Sequence, residues 1–205
     1  LMTRLPKANF EVKSGVWDRE GNRGFELKGR AVGIVGYGNT GSAVAQKLRG
    51  FGVQILAYDK YKKGFGNEWV VEVTEEELLA QSDVITLHVP LTEETTLWLN
   101  ADRLSRCKKG IYLLNLSRGR VVDLEAVEQA MQEGKILGFA ADVLPIEPPW
   151  TDPNEGRKAS LERLMESNHT IFSPHVGGWT VESYRKISAI LFDKMLKLYD
   201  IQRNL

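Results

Sequence analysis

The sequence predicts an α/β fold of three layers, a doubly wound parallel sheet with helices on both faces. Three observations carry that expectation. Short apolar runs of strand length alternate with amphipathic helical patterns along most of the 205 residues. The first such run, Ala-Val-Gly-Ile-Val-Gly at 31–36, has no polar side chain, as suits a strand buried on both faces. Glycine and proline stand where strands and helices should stop. Strands linked by helices form βαβ units, whose right-handed crossovers place helices on both sides of the sheet.

The elements follow in order. The first thirty residues are polar with scattered aromatics (Phe10, Trp17, Phe25) and read as an arm or short helix followed by a loop, with a surface turn at 18–24. The first strand covers 31–36, and a helix over 39–51 places Val44, Ala45 and Leu48 on one face before Gly50 and Gly52 end it. Strands are expected at 53–58 and 69–73. Thr74, with Glu77 three residues on, is a capping-box signature opening a helix to Gln81. A strand at 84–89 is stopped by Pro90, and the next lies at 111–116. An amphipathic helix at 123–133 ends at Gly134, and a strand at 136–143 leads into a loop holding Pro145, Pro148, Pro149 and Pro153. Residues 160–167 read as helical, 170–173 as a last short strand, and 181–199 as a long amphipathic helix.

Composition narrows the function classes. Lys+Arg and Asp+Glu both number 27, a balance that argues against a surface for nucleic acid or anionic membrane, because both need clustered cations. No apolar run reaches the roughly 18 residues of a membrane span, and residues 1–6 lack the apolar core of a signal peptide. The single cysteine, Cys107, excludes an intramolecular disulfide and leaves no thiolate cluster for zinc. Beside Lys108 and Lys109 it reads as an inert residue at a helix end. A cytoplasmic protein without a metal is the expectation.

Parallel sheets bind ligands at the carboxyl ends of their strands, and Gly36, Pro90, Ser117, Asp142 and Pro174 all stand just past predicted strand ends. Gly36-Tyr37-Gly38-Asn39-Thr40-Gly41 is G-x-G-x-x-G between a strand and a helix. Gly36 suits the tight turn, Gly38 a close approach of backbone to pyrophosphate, and Gly41 close packing of helix on strand. Amide groups near Asn39 and Thr40 then face the anion. Asp59 stands 18 residues after Gly41, at the end of the second strand. A carboxylate there accepts hydrogen bonds from both ribose hydroxyls and repels a 2′-phosphate, which favours NAD over NADP. Lys60, Lys62 and Lys63 weigh the other way, since a nearby cation can hold that phosphate. The domain is thus expected to be Rossmann-type and to bind NAD.

Further segments occur in order: His88-Val89-Pro90-Leu91, Asn115-Leu116-Ser117-Arg118-Gly119, Ala141-Asp142-Val143 with Glu147-Pro148, and Ser173-Pro174-His175-Val176-Gly177-Gly178. With the glycine motif, this set resembles the NAD-dependent D-2-hydroxyacid dehydrogenases, nearest to D-3-phosphoglycerate dehydrogenase-like members, from about residue 17 to the end. The resemblance implies that Arg118 grips the substrate carboxylate, that His175 exchanges a proton with the substrate hydroxyl, and that Glu147 sits beside that histidine. It implies that Asp142 meets the nicotinamide carboxamide, that Val89 and Pro90 line the adenosine side, and that Leu116 and Ser117 approach the nicotinamide ribose. Gly177 and Gly178 complete the cofactor-binding set.

The chemistry is consistent with these roles. Histidine titrates at about 6.5 when unperturbed, which suits proton exchange, and a neighbouring carboxylate raises that value. A planar guanidinium holds a carboxylate in two-point contact, as lysine does not. His88 and His169 are assigned to structure. The resemblance further implies an arm or dimerisation segment at 1–30, an NAD-binding domain at 31–205, and no substrate domain in this chain, which then reads as a fragment expected to bind cofactor with little turnover. It implies a small 2-hydroxy or 2-keto acid substrate and a homodimer formed through the arm and helices near 112–133. Phe10, Trp17 and Trp98 are candidate interface contacts that equally suit covering the core. Two alternatives stay open. Corepressors that sense NAD(H) resemble this family and keep the same Arg, Glu and His. Glyoxylate or hydroxypyruvate reductases share the shape, whereas formate enzymes usually carry Gln at the position of Glu147.

Overall fold

Seven strands pair in parallel in the order β3-β2-β1-β4-β5-β6-β7 in the computed structural model, which describes residues 1–146 and 154–198. They are β1 (Ala31–Val35), β2 (Gln54–Tyr58), β3 (Val70–Glu72), β4 (Val84–Leu87), β5 (Ile111–Asn115), β6 (Ile136–Ala141) and β7 (Thr170–Phe172). The order reverses between β1 and β4, so the carboxyl ends of those strands diverge into a crevice. The helices are α1 (Leu5–Lys13), α2 (Asn39–Leu48), α3 (Glu75–Gln81), α4 (Ala101–Arg106), α5 (Leu124–Gln132), α6 (Glu155–Glu166) and α7 (Val181–Leu198). The chain divides into two compact units, Leu1–Phe172 and Ser173–Leu205. The whole sheet belongs to the first.

Strand alternation sorts the core. Val35, Ile85, Leu87, Leu113 and Phe139 meet Leu78 and Leu79 of α3, Leu104 of α4, Val127 of α5 and Leu161 of α6 in one large cluster. Ile34, Ile55, Ala57 and Val70 meet Ala45 of α2 in a second. Val32, Val84 and Tyr112 are covered by Leu1, Met2 and Leu27 of the arm. The three expected layers are present. α3 begins with a complete capping box: the Glu77 amide donates to Thr74 Oγ1 (3.2 Å) and the Thr74 amide to Glu77 Oε2 (2.8 Å).

Several boundaries differ from expectation, each for a local reason. β4 stops at Leu87 and β6 at Ala141, two residues short of the expected ends, where the chain turns into loops at the ligand edge. The helix expected over 39–51 ends at Leu48 and tightens into a 3₁₀ turn at Arg49–Phe51, closed by Gly52 at φ +64°. α6 begins at Glu155 rather than 160 because Asn154 Oδ1 accepts from the Arg157 amide (2.9 Å) and caps it. α4 has no counterpart in the sequence reading; Asn100 caps it through the Arg103 amide (3.1 Å). Trp98 is buried in the large cluster, with the Arg103 guanidinium 4.7 Å from its ring centre, so of its two expected roles it takes the core one. Phe10 and Trp17 are exposed. Among the described residues no helix is long and apolar enough to cross a membrane.

Candidate cofactor and active site

The glycine motif follows β1, and its three glycines serve three needs. Gly36 has φ +90°, and a Cβ there would lie 2.7 Å from the His88 carbonyl oxygen. A Cβ on Gly41 would lie 2.0 Å from the Gly36 carbonyl oxygen, so the first turn of α2 packs directly on the loop. At Gly38 a Cβ would meet nothing within 4 Å. Bare backbone therefore faces open space there, as a diphosphate requires. Gly38 is also the N-cap of α2, and no side chain caps that end. Asn39 and Thr40 are exposed in the first turn, where amides lack intrahelical acceptors.

Asp59, at the end of β2, turns back on this loop. Its Oδ2 accepts from the Tyr37 amide (2.8 Å), and its Oδ1 from the Tyr61 and Lys62 amides (2.9 Å each). A carboxylate offers about four acceptor sites, so with three amides bonded one lone pair is left, on Oδ2. Partial burial alone would raise this carboxyl's pKa. The amides of Lys62, Tyr37 and Tyr61, with the Lys62 charge, outweigh it and hold the group below its ordinary value.

A cleft of about 380 Å³ lies against these loops, lined by Gly36, Gly38, Asp59, Val89, Pro90 and Trp98 among others. Its size and its mix of bare backbone, apolar wall and the Asp59 carboxylate, with Glu94 and the Glu75–Arg103 ion pair also in the lining, suit the adenosine end of a dinucleotide. His88 also lines it, its Nε2 3.0 Å from Thr86 Oγ1, and burial pushes its pKa down. The cleft wall continues into the next functional turn, since the Leu97 amide donates to the Arg120 carbonyl (2.8 Å) and the Leu99 amide to the Val121 carbonyl (3.0 Å).

That turn carries Arg118. Buried Asn115, the last residue of β5, holds it by three bonds. Asn115 Oδ1 accepts from the Ser117 amide (3.1 Å) and hydroxyl (2.7 Å), and Nδ2 donates to the Arg118 carbonyl (3.0 Å). Ser117 is thereby buried with its hydroxyl directed at Asn115. Gly119 is forced by contact, because a Cβ would lie 2.0 Å from the Leu144 carbonyl carbon. This seats the turn on the segment after β6, where the Asp142 amide donates to the Asn115 carbonyl (3.1 Å). The Arg118 side chain is exposed, and Nη1 donates to the Ser117 carbonyl (2.7 Å), leaving further donors on the guanidinium. Leu116 is exposed and lines a separate apolar cavity of about 920 Å³ with Tyr112, Leu114 and Ala140.

His175 belongs to the second unit, in the turn before α7. It is exposed, its amide donates to the Ser173 carbonyl (3.0 Å), and its φ is +56°. A non-glycine residue pays strain in that region, and such strain gathers at functional positions. Gly177 and Gly178 share the turn; the Gly178 carbonyl accepts from the Ser183 hydroxyl (2.7 Å). Glu147 lies outside the described residues. The structure thus gathers Gly36, Gly38, Asp59, Val89 and Pro90 around one cleft, and ties Ser117, Arg118 and Asp142 together through Asn115. Sequence reasoning missed Asn115 as a positioning residue. The available signal was an amide closing an otherwise apolar run, Ile-Tyr-Leu-Leu-Asn. Cys107, at the C-terminus of α4, has its thiol pushed up to about 11 by burial, against the opposing charges of Lys135 and Arg106, and matches the inert residue expected.

The family model for the D-isomer specific 2-hydroxyacid dehydrogenase, NAD binding domain, matches residues 1–177. The chain is 37% identical over 201 residues to a D-3-phosphoglycerate dehydrogenase of Haemophilus influenzae, covering 98% of this chain and 48% of that protein. It is 34% identical over 194 residues to a hydroxypyruvate reductase of Thermotoga maritima, covering 94% and 60%. Among solved structures, D-lactate dehydrogenase from Aquifex aeolicus, complexed with NAD and lactic acid, superposes with a TM-score of 0.84 at 31% identity, covering 98% of this chain and 64% of that one. The chain therefore spans less than two thirds of each of these relatives.

Proposed function

The chain belongs to the D-isomer specific 2-hydroxyacid dehydrogenase family as its NAD-binding domain, and from that premise we propose that it is the cofactor half of a longer enzyme that oxidises a D-2-hydroxy acid or reduces the matching keto acid. The observation that carries the reading is the cleft where open backbone at Gly38 and the Asp59 carboxylate, bonded to the Tyr37 amide, face the same space.

Bound NAD would supply the hydride acceptor or donor. Gly38, Asn39 and Thr40 would hold its diphosphate, Asp59 its ribose, and Val89 and Pro90 its adenosine end. The family resemblance would give the nicotinamide end to Ser117, Leu116 and Asp142 of the first unit, and it assigns Gly177 and Gly178 to the cofactor as well. The exposed Arg118 guanidinium grips the substrate carboxylate in two-point contact, which fixes the direction of the carbon that gives up hydride. By the family resemblance a ring nitrogen of His175 would take the hydroxyl proton, and Glu147 would stabilise the resulting imidazolium. The substrate best supported is D-3-phosphoglycerate, the substrate in the name of the Haemophilus relative, and a homodimer built through the exposed Phe10 and Trp17 fits the arm.

NADH titrated into the 205-residue chain should show enhanced, blue-shifted fluorescence with saturable binding. Asp59→Ala should weaken that binding about tenfold or more, the loss of a charge-assisted hydrogen bond. A folded sample that leaves NADH fluorescence unchanged would refute the site. Activity of the longer protein on D-3-phosphoglycerate, against glyoxylate and hydroxypyruvate, tests the substrate.

A further inference from the structure

The geometry points to Glu94 as a residue that selects NAD over its 2′-phosphorylated form by keeping Lys60 occupied. This rests on the cleft being the adenosine end of the cofactor site. Three lysines, Lys60, Lys62 and Lys63, follow Asp59 in the sequence, Lys60 lines the cleft, and a 2′-phosphate would seek such cations. Each is engaged by the chain itself. Lys62 donates to the Tyr37 carbonyl (3.3 Å) and lies 5.3 Å from that ring's centre. Lys63 donates to the Asp59 carbonyl (3.2 Å) and lies 5.7 Å from the Tyr58 ring centre.

Lys60 is held differently, by a carboxylate from across the cleft. Its ammonium pairs with Glu94 Oε1, while the Tyr61 hydroxyl donates to Glu94 Oε2. Glu94 stands in the loop after β4 and Lys60 and Tyr61 in the loop after β2, and all three line the cleft. One carboxylate thus spans the mouth by two contacts, in a loop that is itself braced by the Thr95 hydroxyl on the Pro90 carbonyl (2.6 Å).

Exposed ion pairs add little to folding, and this one is roughly half exposed on both sides, so its consequence lies in what the rim admits. Glu94 neutralises the ammonium nearest the Asp59 carboxylate in sequence and adds its carboxylate to a cleft that already holds Asp59 and the Glu75–Arg103 pair. An incoming 2′-phosphate would meet the Asp59 and Glu94 carboxylates and no uncommitted Lys60, while Arg103, the other cation in the lining, is itself paired with Glu75. A ribose hydroxyl has no need of that lysine. Removing the Glu94 charge should release Lys60 for the phosphate.

The test is fluorescence titration of NADH and NADPH into the 205-residue chain, into Glu94→Gln, and into Glu94→Gln combined with Lys60→Ala. The affinity for NADPH relative to NADH should rise about tenfold in Glu94→Gln, the worth of one charge-assisted hydrogen bond gained. It should fall back toward the parent ratio once Lys60 is also removed. A ratio unmoved by Glu94→Gln, with NADH still binding, overturns the role of Glu94. A raised ratio that survives loss of Lys60 overturns the role of that lysine. Absence of NADH binding to the parent chain would remove the cofactor site itself, and this inference with it.

Discussion

Two turns on the carboxyl edge of the sheet, one after β1 and one after β5, are built on opposite principles. The first is made of backbone. Gly36 and Gly41 close it, Gly38 leaves it bare, and the Asp59 carboxylate clasps it through the Tyr37 amide. The second is made by a side chain. Buried Asn115 supplies three hydrogen bonds that hold Ser117 and Arg118, and Gly119 lets the turn sit against Leu144. A site made of backbone writes its demands as glycine spacing, which can be read from a sequence. A site held by one amide leaves a single ordinary letter.

The largest effect should come from closing the contact under the second turn. A methyl at Gly119 would meet the Leu144 carbonyl carbon at 2.0 Å and the Pro145 nitrogen at 2.2 Å. Backbone cannot swing aside as a side chain tip can. Gly119→Ala should therefore lose about 3 kcal/mol or more, read from the urea midpoint. Gly38→Ala makes the comparison sharp, since its methyl meets nothing within 4 Å. It should cost about 1 kcal/mol or less, in keeping with an N-cap glycine, while NADH binding weakens. Equal losses in the two variants would break the distinction between a glycine kept for packing and one kept for a ligand.

Next in size is Asn115→Leu, which keeps the volume and removes every polar partner. The Ser117 amide and hydroxyl and the Arg118 carbonyl would be left without Asn115, at a cost of about 2–3 kcal/mol. Hydrogen exchange should quicken at residues 117–122, and more than at residues 36–41. Equal quickening at both would mean that the bridge from Leu97 and Leu99 to Arg120 and Val121 ties the two turns into one unit.

The same contrast explains what was legible beforehand. All seven strands, the sheet class and the capping box on Thr74 follow from apolar runs and a local hydrogen-bond motif, and the structure bears them out. The edges of strands were less legible because the loops that end them are set by long-range contacts, such as the Gly36 amide on the Tyr58 carbonyl (2.8 Å). α4 was missed because it is six residues long with only Leu104 buried, too short to show a period. Asp59 was legible by its spacing, but that three amides use most of its acceptor capacity depends on the turn at 59–62, which supplies two, and on the glycine loop, which supplies that of Tyr37. The Glu94 staple joins residues 34 apart and leaves no local pattern at all.

The smallest predicted effect separates the two turns by charge. The Asp59 carboxyl has a folded pKa below the ordinary 3.8, held there by the amides of Lys62, Tyr37 and Tyr61 against the opposing pull of burial. A depressed pKa stabilises the fold at pH above the unfolded value, and that stabilisation drains away as pH falls through the folded value. Because the group is largely solvated, the amount is less than about 1 kcal/mol. The parent chain should therefore lose stability more steeply than Asp59→Asn below pH 3.8, with the urea midpoints of the two converging as pH falls. Asn115 does not titrate, so the loss in Asn115→Leu should be the same above and below that window. Parallel urea curves for the parent and Asp59→Asn would mean that the carboxylate gains nothing from its three amides in the folded state. The first turn would then be held by its glycines alone.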